Sequence, residues 1–143
     1  MKRHVICLGD SNTHGYCGAQ EGETLCGGRF SEAERWPCLL QRALGEEYLV
    51  IEEGLCGRTT VFPDPLEPGL DAISYLRPCL LSHAPVSLLI LMLGTNDTQE
   101  RFQLNGFNIA RSMRRILDAI EISRSGPNET APKVLLVAPP HIL

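Results

Sequence analysis

The sequence predicts an α/β fold built on a parallel sheet with helices on both faces, and three observations carry that prediction. Short apolar runs alternate along the chain with segments of helical periodicity, the order that produces parallel sheets covered by helices. Residues 86–93 are almost unbroken apolar sequence, as a central strand buried on both faces requires. The first three apolar runs each end in a polar stretch containing glycine, around Ser11, Gly57 and Asn96. Loops at the carboxyl ends of strands are where open α/β sheets bind ligands.

The first run, from Val5 to Leu8, stops at Gly9 and is followed at once by Asp10, Ser11 and Asn12. Residues 13–30 are rich in glycine and polar side chains and read as a long loop. A helix starting at Ser31-Glu32-Ala33-Glu34, which imitates a capping box, would carry Pro37 in its interior at a cost of ~3 kcal/mol. Pro37 fits the first helical position instead. Leu39, Leu40, Ala43 and Leu44 then form the buried stripe, and Gly45 ends the helix. Tyr48-Leu49-Val50-Ile51 is a second strand. Residues 62–69 hold three prolines and are irregular. Residues 70–83 are helical in composition but interrupted by Pro78, which predicts a kink or two short pieces. After the third strand, Ile109, Met113, Ile116, Leu117 and Ile120 repeat at helical spacing within a helix over 105–123. A proline-containing loop at 125–132 leads to a fourth strand at 134–138, stopped by Pro139-Pro140. No internal repeat or second domain is evident.

Composition narrows the function. A chain of 143 residues with 43% hydrophobic and 21% charged residues is ordinary for one globular domain. Its net charge of −4 argues against a nucleic-acid partner, which calls for a basic patch. The apolar run after Met1-Lys2-Arg3-His4 is too short for a signal-peptide core or a membrane span, so a cytoplasmic location is expected. The six cysteines include no Cys-x-x-Cys pair, and reduced thiols are expected over disulfides or a zinc site.

Ser11, Gly57 and Asn96 together suit acyl transfer. The reaction needs a nucleophile and donors placed where an oxyanion develops. The Ser11 hydroxyl can attack, while the Ser11 and Gly57 backbone N–H groups and the Asn96 amide can donate. A glycine at 57 lets the backbone approach a substrate closely. Taken singly, each residue is ordinary turn chemistry.

The three blocks resemble the SGNH (GDSL-type) hydrolases. Gly9-Asp10-Ser11-Asn12 is similar to the family's nucleophile block, Gly57 to its glycine block and Gly94-Thr95-Asn96-Asp97 to its asparagine block. Glu52-Glu53-Gly54-Leu55, Gly57-Arg58-Thr59-Thr60 and Met92-Leu93-Gly94-Thr95-Asn96-Asp97-Thr98 resemble the arylesterase and acyltransferase branch. The resemblance implies a three-layer α/β/α sandwich with flavodoxin-like strand order. It implies Ser11 as nucleophile, and Ser11, Gly57 and Asn96 as the oxyanion hole. Asp10 and Asp97 are expected to brace the turns. The substrate would be a small acyl ester, with no metal and no organic cofactor. The branch also implies an apolar entrance built from neighbouring subunits, hence a homo-oligomer.

One family block is missing. The Asp-x-x-His that supplies the base after a fifth strand does not occur here, and loss of the base costs on the order of 10⁶ in turnover in a well-studied serine protease. Of the four histidines, His4 is at the wrong end of the sheet and His83 ends a helix. His14 is a loop residue. His141 alone follows the carboxyl end of a strand, at a position that does not match the family's histidine. The expectation is a hydrolase domain over residues 1–143 truncated after the fourth strand, which leaves an open apolar edge, or an edge covered by a second chain. Two further readings stand beside the esterase: a non-catalytic domain that binds esters or other ligands, and a flavodoxin-like phosphate or flavin binder resting on fold analogy. The aromatic residues Trp36, Phe62 and Phe102 are candidates for acyl-pocket walls, with core packing the favoured role.

Overall fold

The computed structural model describes residues 1–18 and 28–141. Four parallel strands, β1 (Arg3–Gly9), β2 (Tyr48–Gly54), β3 (Val86–Met92) and β4 (Lys133–Leu136), form one sheet in the order β2-β1-β3-β4. Four helices accompany them: α1 (Ser11–His14), α2 (Trp36–Leu44), α3 (Ala72–Ser82) and α4 (Gly106–Ser123). The expected three-layer α/β/α arrangement is present.

Side chains alternate across a strand, and β1 divides its residues accordingly. Ile6 and Leu8 join Leu89, Leu91 and Leu93 of the third strand region in a core closed by Leu76 and Leu80 of α3 and Ile116 and Ile120 of α4. Val5 and Cys7 face the other way, with Ile90, against Trp36, Leu40 and Leu44 of α2. Trp36 thus packs partly buried against the core, the role favoured for it from sequence, and is not among the described walls of the cavity at Ser11, Gly57 and Asn96.

Several expectations need correction. In α2 the buried stripe runs through Trp36, Leu40 and Leu44, four residues apart, while Leu39 and Ala43 are exposed. The helix begins one residue before Pro37, and contact with the sheet selects the Trp36, Leu40 and Leu44 face. α3 continues through Pro78 as one element. Pro78 and Ser74 both face solvent, where water can take the carbonyl that Pro78 leaves unpaired. The loop expected at 13–30 is helical at its start, because α1 extends to His14, and residues 19–27 of it lie outside the described residues.

Cysteine usage also differs from expectation. Cys7, Cys17, Cys38 and Cys79 are free, but Cys56 is disulfide-bonded. Pairing depends on Cα atoms lying within about 7 Å, a spatial condition that sequence spacing does not report. Disulfides are rare in cytosolic proteins, so the cytoplasmic expectation loses the support it drew from reduced thiols.

β4 is the outer strand beside β3, and all four of its residues are exposed. Among the described residues, Val134, Leu135 and Leu136 retain 36%, 50% and 50% of their accessible surface. Among the described residues no helix is long and apolar enough to cross a membrane.

Candidate active site

Ser11 owes its position to the first turn after β1. Asp10 caps α1, its Oδ1 accepting from the backbone N–H of Asn12 at 2.9 Å and from Asn12 Nδ2 at 3.1 Å. Asx chemistry of this kind satisfies donors that a helix start leaves open. The turn lies hard against the end of β2. A Cβ on Gly54 would stand 2.2 Å from the His14 nitrogen, so only glycine permits this approach. Ser11 is thereby half-buried at the carboxyl end of the sheet.

Gly57 sits in the loop after β2 with φ +79°, a conformation that other L-residues adopt with strain. The next residue, Arg58, is almost completely buried. Its Nη1 donates to the carbonyls of Gly9 at 3.2 Å and Glu53 at 2.5 Å, joining the ends of β1 and β2. The guanidinium also stacks 5.2 Å from the Tyr75 ring centroid. Burial lowers the Arg58 pKa, and the Glu53 carboxylate opposes that shift.

Asn96 begins a short 3₁₀ turn after β3 and is 8% exposed. Its Nδ2 donates to the Arg58 carbonyl at 3.0 Å, and its Oδ1 accepts from Gln99 Nε2 at 3.2 Å. One Nδ2 proton is thus engaged. Asp97 reaches back to the second loop. Its carboxylate accepts from the Thr60 backbone N–H at 3.1 and 3.2 Å and from the Thr60 hydroxyl. Thr60 continues to Ser112 of α4 at 2.7 Å. Burial raises the pKa of both Asp10 and Asp97, against the hydrogen bonds that favour their ionised forms.

These loops enclose a cavity of about 230 Å³ in which Ser11, Gly57 and Asn96 all take part, with Tyr16, Leu70 and Gln99 among the other walls. Glu67 and Arg101 also line it, and Arg101 is held by Asp64. Phe62 and Phe102 are not among its walls.

No histidine hydrogen-bonds Ser11 among the described residues. The His4 Nδ1 lies 2.7 Å from the His83 carbonyl, the His14 Nδ1 3.3 Å from the Gly54 carbonyl, and the His83 Nε2 3.2 Å from Glu53. Burial lowers the His14 pKa. His141 is exposed. Elsewhere, the metal-ligating atoms of Glu53, Cys79 and His83 lie within 4.8 Å of one another. There the Glu53 carboxylate already accepts from the Tyr75 hydroxyl at 3.1 and 3.2 Å, and buried Arg58 stands beside it as the resident cation.

The profile of the GDSL-like Lipase/Acylhydrolase family matches residues 7–141. The chain belongs to this family. Among solved structures, the native aryl esterase of M. smegmatis is 41% identical with a TM-score of 0.87, over 96% of this chain and 64% of the esterase. Est24, a carbohydrate acetylesterase from Sinorhizobium meliloti, is 40% identical with a TM-score of 0.88, over 97% of this chain and 65% of Est24. The chain therefore spans just under two-thirds of the length of these relatives. AlinE4, an SGNH-hydrolase family esterase, shares the fold at 24% identity and a TM-score of 0.59. No curated protein gives a match.

Within this family member the structure adds Arg58, Thr60 and Gln99 to the residues read from sequence. Arg58 and Thr60 were visible in the glycine block, but nothing local distinguishes a buried, doubly bonded arginine from a solvated one in a polar loop.

Proposed function

We propose that this chain forms the nucleophile and oxyanion-hole portion of a serine esterase or acyltransferase acting on small aryl or alkyl esters. The observation that carries the reading is the convergence of Ser11, Gly57 and Asn96 on one cavity. The Ser11 hydroxyl attacks the ester carbonyl. The oxyanion that forms is met by the backbone N–H groups of Ser11 and Gly57 and by the free Nδ2 proton of Asn96. Because the Asn96 amide is anchored to the Arg58 carbonyl, two of the three donors move as one body, which reduces reorganisation during the reaction. Collapse of the intermediate expels the alcohol and leaves an acyl group on Ser11, which water or a second alcohol then removes. The small cavity suits a short acyl group.

Proton transfer from Ser11 needs a base that none of the four histidines supplies in this arrangement. The base is assigned to residues outside this chain, in the remaining third of the length that its relatives possess or on a second chain. The domain of residues 1–143 is accordingly one part of a catalytic unit. The aryl esterase and the carbohydrate acetylesterase that resemble this chain agree with a short acyl ester as substrate. A homo-oligomer remains part of the proposal, to be measured by sedimentation.

The test is labelling of the natural full-length protein by a fluorophosphonate. Labelling that disappears in Ser11→Ala is expected, and labelling that persists in that variant overturns the role of Ser11. The unengaged Ser11 favours one second reading, a non-catalytic domain that binds esters. Turnover of an aryl acetate above the buffer rate, lost in Ser11→Ala, would exclude it.

A further inference from the structure

We propose that Gln99 is a positioning residue that fixes the rotation of the Asn96 amide and so aims its free N–H into the cavity. The clamp itself is a property of the fold, while its consequence for turnover rests on the esterase reading.

The argument begins with which groups can donate. The Arg58 carbonyl can only accept, so the Asn96 atom 3.0 Å from it must be Nδ2. That assignment turns Asn96 Oδ1 the other way, where the Gln99 side chain meets it at 3.2 Å. Gln99 must then present Nε2. The backbone favours the encounter, because the Gln99 N–H closes the 3₁₀ turn on the Asn96 carbonyl at 3.2 Å. Both amide orientations are therefore dictated in series from a single backbone carbonyl.

The cost of this arrangement is visible at Gln99 Oε1, which is buried with no hydrogen-bond partner. An unpaired buried acceptor forfeits its hydration without compensation. Flipping the Gln99 amide would place Oε1 against Asn96 Oδ1, acceptor against acceptor, and would remove the only bond that Oδ1 receives. The fold keeps the Asn96 contact and leaves Oε1 unsatisfied. Asn96 has a broad terminal torsion of its own, and without Gln99 only the Arg58 carbonyl would restrain it. The free N–H would then sample directions away from the position of an oxyanion. Gln99 also lines the same cavity as Ser11, Gly57 and Asn96, so the restraint acts at the edge of the space a ligand would fill.

The clamp can be tested on the chain itself by NMR of ¹⁵N-labelled side-chain amides, with the Asn96 pair assigned through Asn96→Asp. In the parent protein the two Nδ2 protons should be well separated in shift and slow to exchange with water. Gln99→Leu should speed their exchange several-fold and narrow the separation. Gln99→Glu keeps the length of the side chain but offers only acceptors when ionised. It should behave like Gln99→Leu when ionised and return toward the parent spectrum as the carboxyl protonates, at a pH above the ordinary carboxylate range because the end of the side chain is buried and faces an acceptor. Unchanged Asn96 signals in both variants, with backbone spectra that report an intact fold, would overturn the clamp. In the natural full-length protein, loss of a whole oxyanion donor costs about 10²–10³ in kcat, and a misaimed donor should cost less, about tenfold, with KM within about twofold. An unaltered kcat beside altered amide spectra would overturn the catalytic consequence. Turnover that survives Ser11→Ala would instead overturn the esterase reading and leave the amide spectra to decide the clamp.

Discussion

The carboxyl ends of β1–β3 and the outer edge at β4 are built in opposite ways. At the strand ends, Arg58, Thr60, Asn96 and Asp97 are polar side chains buried at 8% exposure or less, tied to one another or to backbone carbonyls. At the edge, Val134, Leu135 and Leu136 are apolar side chains left in solvent. Most buried polar groups in folded proteins are hydrogen-bonded, and the bonds of Arg58, Asn96 and Asp97 run from loop to loop, so each loop holds the next. An apolar edge has no such internal solution and invites a covering surface. The carboxyl ends of β1–β3 are thus cross-braced within this chain, whereas β4 carries apolar side chains exposed to solvent.

The contrast can be broken most directly at Asn96. Asn96→Ala should reduce kcat of the natural full-length protein by a factor on the order of 10²–10³ while the fold persists. An aryl-acetate assay showing less than about a threefold loss would remove Asn96 from the oxyanion hole. Next in size is Arg58→Met, which removes one donor each from the Gly9 and Glu53 carbonyls. It should destabilise the chain by about 2–3 kcal/mol in urea unfolding, far more than an exposed arginine would.

Two carboxylates sharpen the comparison through pH. Hydrogen bonds from Arg35 lower the pKa of Glu52. Its contribution is therefore present above the unfolded value and lost as pH falls through the lower folded one. Glu52→Gln should cost about 1–3 kcal/mol at neutral pH and less under acid conditions. Asp97 has the opposite sign, since burial raises its pKa. Its ionisation opposes folding as pH rises from the ordinary carboxylate range through the raised folded value. Asp97→Asn should remove that loss while keeping an acceptor for the Thr60 N–H, so its stability relative to the parent should improve between acid and neutral pH. Parallel pH profiles for the two variants would contradict the opposed assignments. The smallest effect is expected at the edge, where Leu135→Lys should change stability by less than about 0.5 kcal/mol. Any self-association through β4 should weaken in the same variant, as sedimentation would report.

Much of this was legible in the chain because it depends on near neighbours. Alternating apolar runs, the helical repeat from Ile109 to Ile120, and glycine at strand ends are local patterns with local causes. They suffice for the sheet, for α4 and for the positions of Ser11, Gly57 and Asn96 at strand ends. The phase of α2 was misread because four leucines and alanines fit more than one stripe, and only contact with the sheet selects Trp36, Leu40 and Leu44. The Cys56 disulfide was missed for the same kind of reason.

The sequence by itself determined the α/β class and that Ser11, Gly57 and Asn96 follow the ends of three strands, because periodicity and turn chemistry act over a few residues. Only the tertiary structure decided that those loops share one cavity, that Asp97 holds Thr60 across 37 positions, and that no histidine of this chain stands at Ser11. These depend on donors and acceptors that are remote in sequence and meet only when the sheet order β2-β1-β3-β4 brings the strand ends together.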